Sequence, residues 1–77
     1  MPSIRDGSLR WVVYPNDHPP PHTHVIGPGW EIRIELTQPP SLLSVAGAPK
    51  AGEMAKALIG TAQRLAQLRS LWSTLLD

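Results

Sequence analysis

The chain predicts a small α+β domain: a three- to four-stranded, mainly antiparallel sheet with a C-terminal helix packed on one face. Three observations carry that expectation. Residues up to about Gly47 are rich in proline, β-branched residues and tryptophan. Beyond Pro49 the composition turns to Ala, Leu, Gln, Arg and Lys, with no further proline. Between them, Trp30-Glu31-Ile32-Arg33-Ile34-Glu35-Leu36 alternates apolar with charged residues, the period of a half-buried strand. A sheet followed by a helix within 77 residues makes one domain, 1–77, not two.

In chain order, Leu9-Arg10-Trp11-Val12-Val13-Tyr14 is built of strand formers and is stopped by Pro15-Asn16-Asp17. His22-Thr23-His24-Val25-Ile26 follows as a second strand, and Gly27-Pro28-Gly29 as a turn. In the alternating strand, Trp30, Ile32, Ile34 and Leu36 face a core while Glu31, Arg33 and Glu35 face out. Gln38-Pro39-Pro40 breaks it, and Leu42-Leu43-Ser44-Val45 is a short edge strand. The helix is expected to start near Pro49, a residue suited to the first helical position, with Glu53 early enough to meet the helix dipole. Met54, Leu58, Ala62, Leu65, Trp72 and Leu76 form its apolar stripe, widened by Leu68, Leu71 and Leu75. Unbroken to Leu76, such a helix would be about 42 Å long at ~1.5 Å per residue. A chain of this size has a radius of gyration of only roughly 11–12 Å. The helix therefore bends near Gly60, or a partner covers its overhang.

Composition narrows the function. A domain this short buries only roughly 60% of its unfolded surface, so a disulfide, a metal or a partner chain is the usual support. There is no cysteine, which rules out the first and fits a reducing, cytoplasmic setting. Seven basic and six acidic side chains give a net charge of +1 without like-charge runs, so a broad electrostatic grip on nucleic acid or membrane is not expected. The N-terminus lacks the apolar core of a signal peptide. No apolar run approaches the ~20 residues of a membrane span.

The chemically special stretch is Asn16-Asp17-His18-Pro19-Pro20-Pro21-His22-Thr23-His24. His22 and His24 are two apart, so on a strand they share a face. The prolines form a stiff, extended link that holds Asp17 and His18 at a fixed offset from them. Hairpin register decides which face that is. With a three-residue loop, Gly27-Pro28-Gly29, His24 opposes Ile32 in the core. With Pro28-Gly29 alone, Val25 opposes Ile32, and both histidines join Glu31, Arg33 and Glu35 outside. Turn chemistry favours the longer loop, because L-Pro followed by Gly suits unprimed turns. Burial favours the shorter, because two imidazoles would need partners in a thin core. The burial argument outweighs the other, so the histidines are expected on the outer face, aimed at solvent.

Three readings of this stretch stand side by side. In the first, His22 and His24 are acid/base groups, His18 and Asp17 orient them, and Arg33 binds a phosphate, as in a metal-independent ribonuclease. Arg10 and Arg5, flanking the first strand, extend that phosphate surface. In the second, His22 and His24 with His18 or Asp17 hold a divalent transition metal. In the third, the segment is a turn whose polar side chains bond the backbone.

Met1-Pro2-Ser3-Ile4, the Asn16-Asp17-His18-Pro19-Pro20-Pro21-His22-Thr23-His24-Val25 run, the alternating strand, and Ala48-Pro49-Lys50 opening a helix with a late Trp72 together resemble the bacterial family known as domain of unknown function 4160. The resemblance covers nearly the whole chain. It implies a small cytoplasmic α+β protein and a toxin-like or accessory role beside a small protein encoded by the adjacent gene. The chain departs from the family at Thr23, where a larger apolar residue is usual, and at Ala48, where a leucine is usual. The usual bulk at the first position implies that residues 23 and 25 face the core. The resulting expectation is a toxin-like component of a two-gene module acting on RNA or another phosphate-bearing target, with no cofactor other than a divalent metal. The alternative is a non-enzymatic binding module, or homo-oligomer, docking through Leu68, Leu71, Trp72 and Leu75.

Overall fold

The structure is a computed structural model describing residues 3–76, with the backbone alone for residue 76. Met1 and Pro2 of the family-like N-terminal run, and the Leu76 side chain of the expected stripe, lie outside the described residues. Five strands form one antiparallel sheet in sequence order: β1 Ser3–Asp6, β2 Leu9–Val12, β3 His22–Gly27, β4 Trp30–Glu35 and β5 Ser41–Gly47. Two helices follow, α1 Ala51–Gln63 and α2 Leu65–Leu76. The α+β class is as expected, with one more strand and a divided helix. The extra strand, β1, has Ile4 as its one apolar residue, too little for alternation to reveal. It folds back on β2 through Gly7-Ser8, with Gly7 at φ +61°. None of the described helices is long and apolar enough to cross a membrane.

β3 and β4 settle the register. Gly27 pairs with Trp30, Val25 with Ile32, His24 with Arg33 and His22 with Glu35. The loop is thus the two residues Pro28-Gly29, against the turn-chemistry argument. Gly29 at φ +77° after Pro28 supplies the positive angle that an unprimed Pro-Gly turn requires. Burial prevails: Thr23 and Val25 are fully buried, and the Thr23 hydroxyl donates to the Val12 carbonyl at 3.1 Å.

The core lies between the inner sheet face and the helices. Leu9, Trp11, Val13, Val25, Trp30, Ile32, Ile34 and Leu36 meet Ala57, Leu68 and Trp72. Ala62 is exposed, unlike the expected stripe, and Ala57, Gly60 and Thr61 take its place inside. Leu68 and Trp72, expected at a partner interface, are core residues; Leu71 and Leu75 are half-buried against them. Among the described residues, the large apolar side chains left exposed are Leu42, Leu43 and Val45 on the β5 edge and Ile59 on α1.

The helix begins two residues later than expected, at Ala51, with Lys50 as its N-cap and Pro49 just outside. Glu53 accepts from the Lys50 backbone N–H at 2.9 Å and from Trp30 Nε1 at 3.0 Å. It thereby joins the first turn of α1 to β4. The bend comes at Arg64, not at Gly60. Gly60 lies inside α1 because a Cβ there would sit 2.3 Å from the Trp11 ring. Trp11 Nε1 donates to Thr61 Oγ1 at 3.0 Å, and that hydroxyl donates back to the Ala57 carbonyl at 2.7 Å, a bond that bends helices. Arg64, the C-cap, stacks 4.5 Å over Trp11 and pairs with Asp6 at 2.8 Å. The break keeps the molecule within 34 Å at its longest and gives a radius of gyration of 11.3 Å.

Two expectations follow. Gly60→Ala gains about 1 kcal/mol of helix propensity but overpacks Trp11, at a cost of about 1–3 kcal/mol. Urea unfolding should show a net loss; a gain would mean that the ring is not seated on Gly60. The Glu53 carboxyl is held below its ordinary value, first by the Lys50 N–H and then by Trp30 Nε1, against a smaller opposing effect of burial. Its depressed folded value means that this contribution is full above the unfolded value and lost as pH falls through the folded one. Stability should therefore decline from about pH 4.5 downward. Glu53→Gln should flatten that part of a melting-temperature profile, and an unchanged slope would remove Glu53 as its source.

Candidate metal centre

Strand alternation and register place His22 and His24 on the sheet face of Glu31, Arg33 and Glu35, as expected. Their exposure differs from expectation. His22 is only 4% exposed, because Trp72 of α2 packs on its ring at a centroid distance of 5.3 Å. α2 reaches this strand end because Arg69 Nε donates to the Leu36 carbonyl at 3.0 Å, and Leu36 N–H donates to Pro21 at 2.9 Å. The His24 side chain is 12% exposed and lies beneath the Tyr14 ring, edge to face at 4.6 Å. Neither imidazole is an open surface group.

The proline segment is not an extended rod. The chain doubles back so that Asp17 Oδ2 lies 3.0 Å from His24 Nε2 and 3.3 Å from His22 Nε2. His18, expected beside them, is exposed and outside this cluster. Asp17, His22 and His24 each turn one donor atom inward, all within 4.8 Å of one another.

The outer ring nitrogens fix the protons. His22 Nδ1 meets the Pro20 carbonyl at 2.8 Å, and a carbonyl only accepts, so Nδ1 carries a hydrogen. His24 Nδ1 meets Glu31 Oε2 at 2.6 Å and donates for the same reason. In neutral rings both Nε2 atoms are then lone pairs, and both face a carboxylate oxygen. His22 Nε2 is buried and makes no hydrogen bond, since its approach to Asp17 is close but not aligned as one. Three electron-rich atoms around one point call for a hydrogen-bond donor, an added proton or a cation.

Two of the three ligand separations suit a metal. Bonds of ~2.0–2.1 Å in a tetrahedron separate ligand atoms by about 3.3 Å, close to the two Asp17–histidine distances. Two imidazoles and a carboxylate favour zinc, iron, nickel or cobalt over magnesium or calcium, which prefer oxygen alone. Nδ1–H groups held by a carboxylate and a backbone carbonyl are the outer partners that metal-bound histidines characteristically have. Glu31, foreseen only as an outward carboxylate, is one such partner. It is diagonal to His24 in the register, within reach of a long side chain.

Arg33 stands directly across from His24, but its Nε donates to Ser44 Oγ at 2.7 Å. Arg10 lies on the same face two residues along β2 from Val12, the partner of His24. A separate hollow of about 430 Å³ lies between the β1–β2 turn and α1, lined by Asp6, Trp11, Lys56 and Arg64 among others. Two of its charged lining residues, Asp6 and Arg64, neutralise one another as an ion pair. No protein-family model, curated protein or solved structure matches the chain.

Proposed function

We propose that this protein is a divalent-transition-metal protein whose Asp17, His22 and His24 hold one ion, and that the ion serves toxin-like chemistry on a phosphate-bearing target such as RNA. The observation that supports the metal is the convergence of two imidazole Nε2 atoms on the Asp17 carboxylate while both Nδ1–H groups are engaged elsewhere. Three protein ligands leave a coordination position for water or substrate, the arrangement of catalytic rather than structural zinc. A bound ion of this kind supplies Lewis acidity and an activated water. The chain's own residues orient the rings through Pro20 and Glu31 and limit water through Tyr14 and Trp72. The toxin-like role, with a small protein from the adjacent gene as partner, rests on the family resemblance.

The metal-independent alternative puts an added proton on His24, between Asp17 and Glu31, and uses the pair for acid/base chemistry. Metal titration separates the two. Untagged protein stripped with chelator should bind one equivalent of zinc or nickel by calorimetry. His24→Ala and Asp17→Ala should each weaken binding by more than 100-fold, and Glu31→Gln by about 10–100-fold. His18→Ala should leave it unchanged. Absence of binding in the unaltered chain would return the site to the protonated pair. If the site is the working part of a toxin, induced expression should slow growth, and His24→Ala should relieve that effect; equal inhibition by both chains would break the link between site and toxicity.

A further inference from the structure

The face that carries Asp17, His22 and His24 also holds two guanidinium groups without a counter-charge. Arg5 of β1 and Arg10 of β2 are directly opposed in their antiparallel pair. They therefore project from one face, with Cβ atoms roughly 4.5–5.5 Å apart. The Arg10–Ile26 and Val12–His24 pairings make it the face of His24. Both arginines are exposed, and among the described residues neither enters an ion pair or a side-chain hydrogen bond. Like charges set opposite one another destabilise a strand pair. The carboxylates that would relieve them are engaged: Asp6 with Arg64, Asp17 with the imidazoles, and Glu31 with His24.

Beside Arg10 is a hollow of about 170 Å³ lined by Ser3, Arg10, Val12 and Tyr14. It adjoins the histidine site through two of its walls. The Tyr14 ring packs on His24, and Val12 is the direct cross-strand partner of His24. Arg10 stands only ~6.5–7 Å along the strand from Val12, a span that an extended arginine covers. The hollow is smaller than the ~300–1,000 Å³ of sites that enclose a whole drug-sized molecule. Its walls offer a guanidinium, two hydroxyls and no carboxylate.

We infer that this hollow seats the phosphate group of the substrate, held by Arg10 with Arg5 beside it and by the hydroxyls of Ser3 and Tyr14. A guanidinium fork matches phosphate oxygens in pairs, and the anion removes the repulsion between Arg5 and Arg10. The ligand counts as a substrate because of the metal reading above, on which that part rests; the seat itself is built from separate residues.

Thermal melting of the metal-stripped full chain, in inorganic phosphate and in chloride of equal ionic strength, tests the seat. Phosphate should raise the melting temperature of the unaltered chain above its value in chloride. Arg10→Ala and Arg5→Ala should each weaken the apparent phosphate affinity at least tenfold, while Lys56→Ala on α1 keeps it. In phosphate-free buffer both arginine variants should melt at or above the unaltered chain, since a repulsion has been removed, which shows that they fold. Equal stabilisation of the unaltered chain and Arg10→Ala by phosphate would overturn the inference, as would a phosphate effect no larger than that of chloride. Zinc titration without phosphate keeps the two ideas apart. Zinc binding with no phosphate seat sinks this inference alone, and a phosphate seat without zinc binding sinks the metal reading alone.

Discussion

The seating of Trp11 against α1 is the contact on which the rest of the architecture depends. Its indole N–H meets Thr61, its ring lies where Gly60 has no side chain, and the Arg64 guanidinium stacks over it. These three residues occupy the turn in which the helix ends. The indole thus holds α1 to the sheet and sets where the chain changes direction. α2 then runs toward the strand ends, where Leu68 enters the core and Trp72 reaches His22. Burial of one site histidine is in this sense a consequence of how a distant tryptophan is packed.

At the site itself the controlling quantity is charge. Two carboxylates and two imidazoles share a small, partly closed volume, and the outer acceptors hold the ring hydrogens away from its centre. A bland structural turn would be expected to spread its polar groups over backbone partners, as His22 Nδ1 does with Pro20. Instead, one buried ring nitrogen is left without a hydrogen bond. Such an atom is costly unless something fills the place it faces. On the same face, two opposed arginines lack carboxylates. The pattern is a separation of charge, negative at the ring nitrogens and positive a short distance along the sheet.

Much of this was legible in the chain because strands repeat every two residues. Trp30, Ile32 and Ile34 needed an inner face, and that need extended to Val25 and so placed the histidines outside. The local preference of Pro28-Gly29 pointed the other way and lost, because a one-residue slip would have exchanged buried Val25 and Thr23 for two imidazoles. Less legible were features formed by distant residues. β1 has too few apolar residues to announce itself. The break at Arg64 depends on Trp11 and Asp6, some fifty residues earlier in the chain. Gly60, read alone, suggests flexibility, but it serves as a place for a ring.

Local chemistry alone determined the class, the alternating strand, that His22 and His24 share one face, and Asp17 as a candidate companion, since periodicity and residue type carry that information at short range. Only the tertiary structure decided that the prolines fold back instead of extending, that His18 stands apart, that Glu31 orients His24, and that Leu68 and Trp72 belong to the core. Those outcomes depend on which surfaces meet after the sheet and both helices have packed together. No stretch of a few residues specifies such a meeting, because it is set by the shape and polarity of partners far away in the chain.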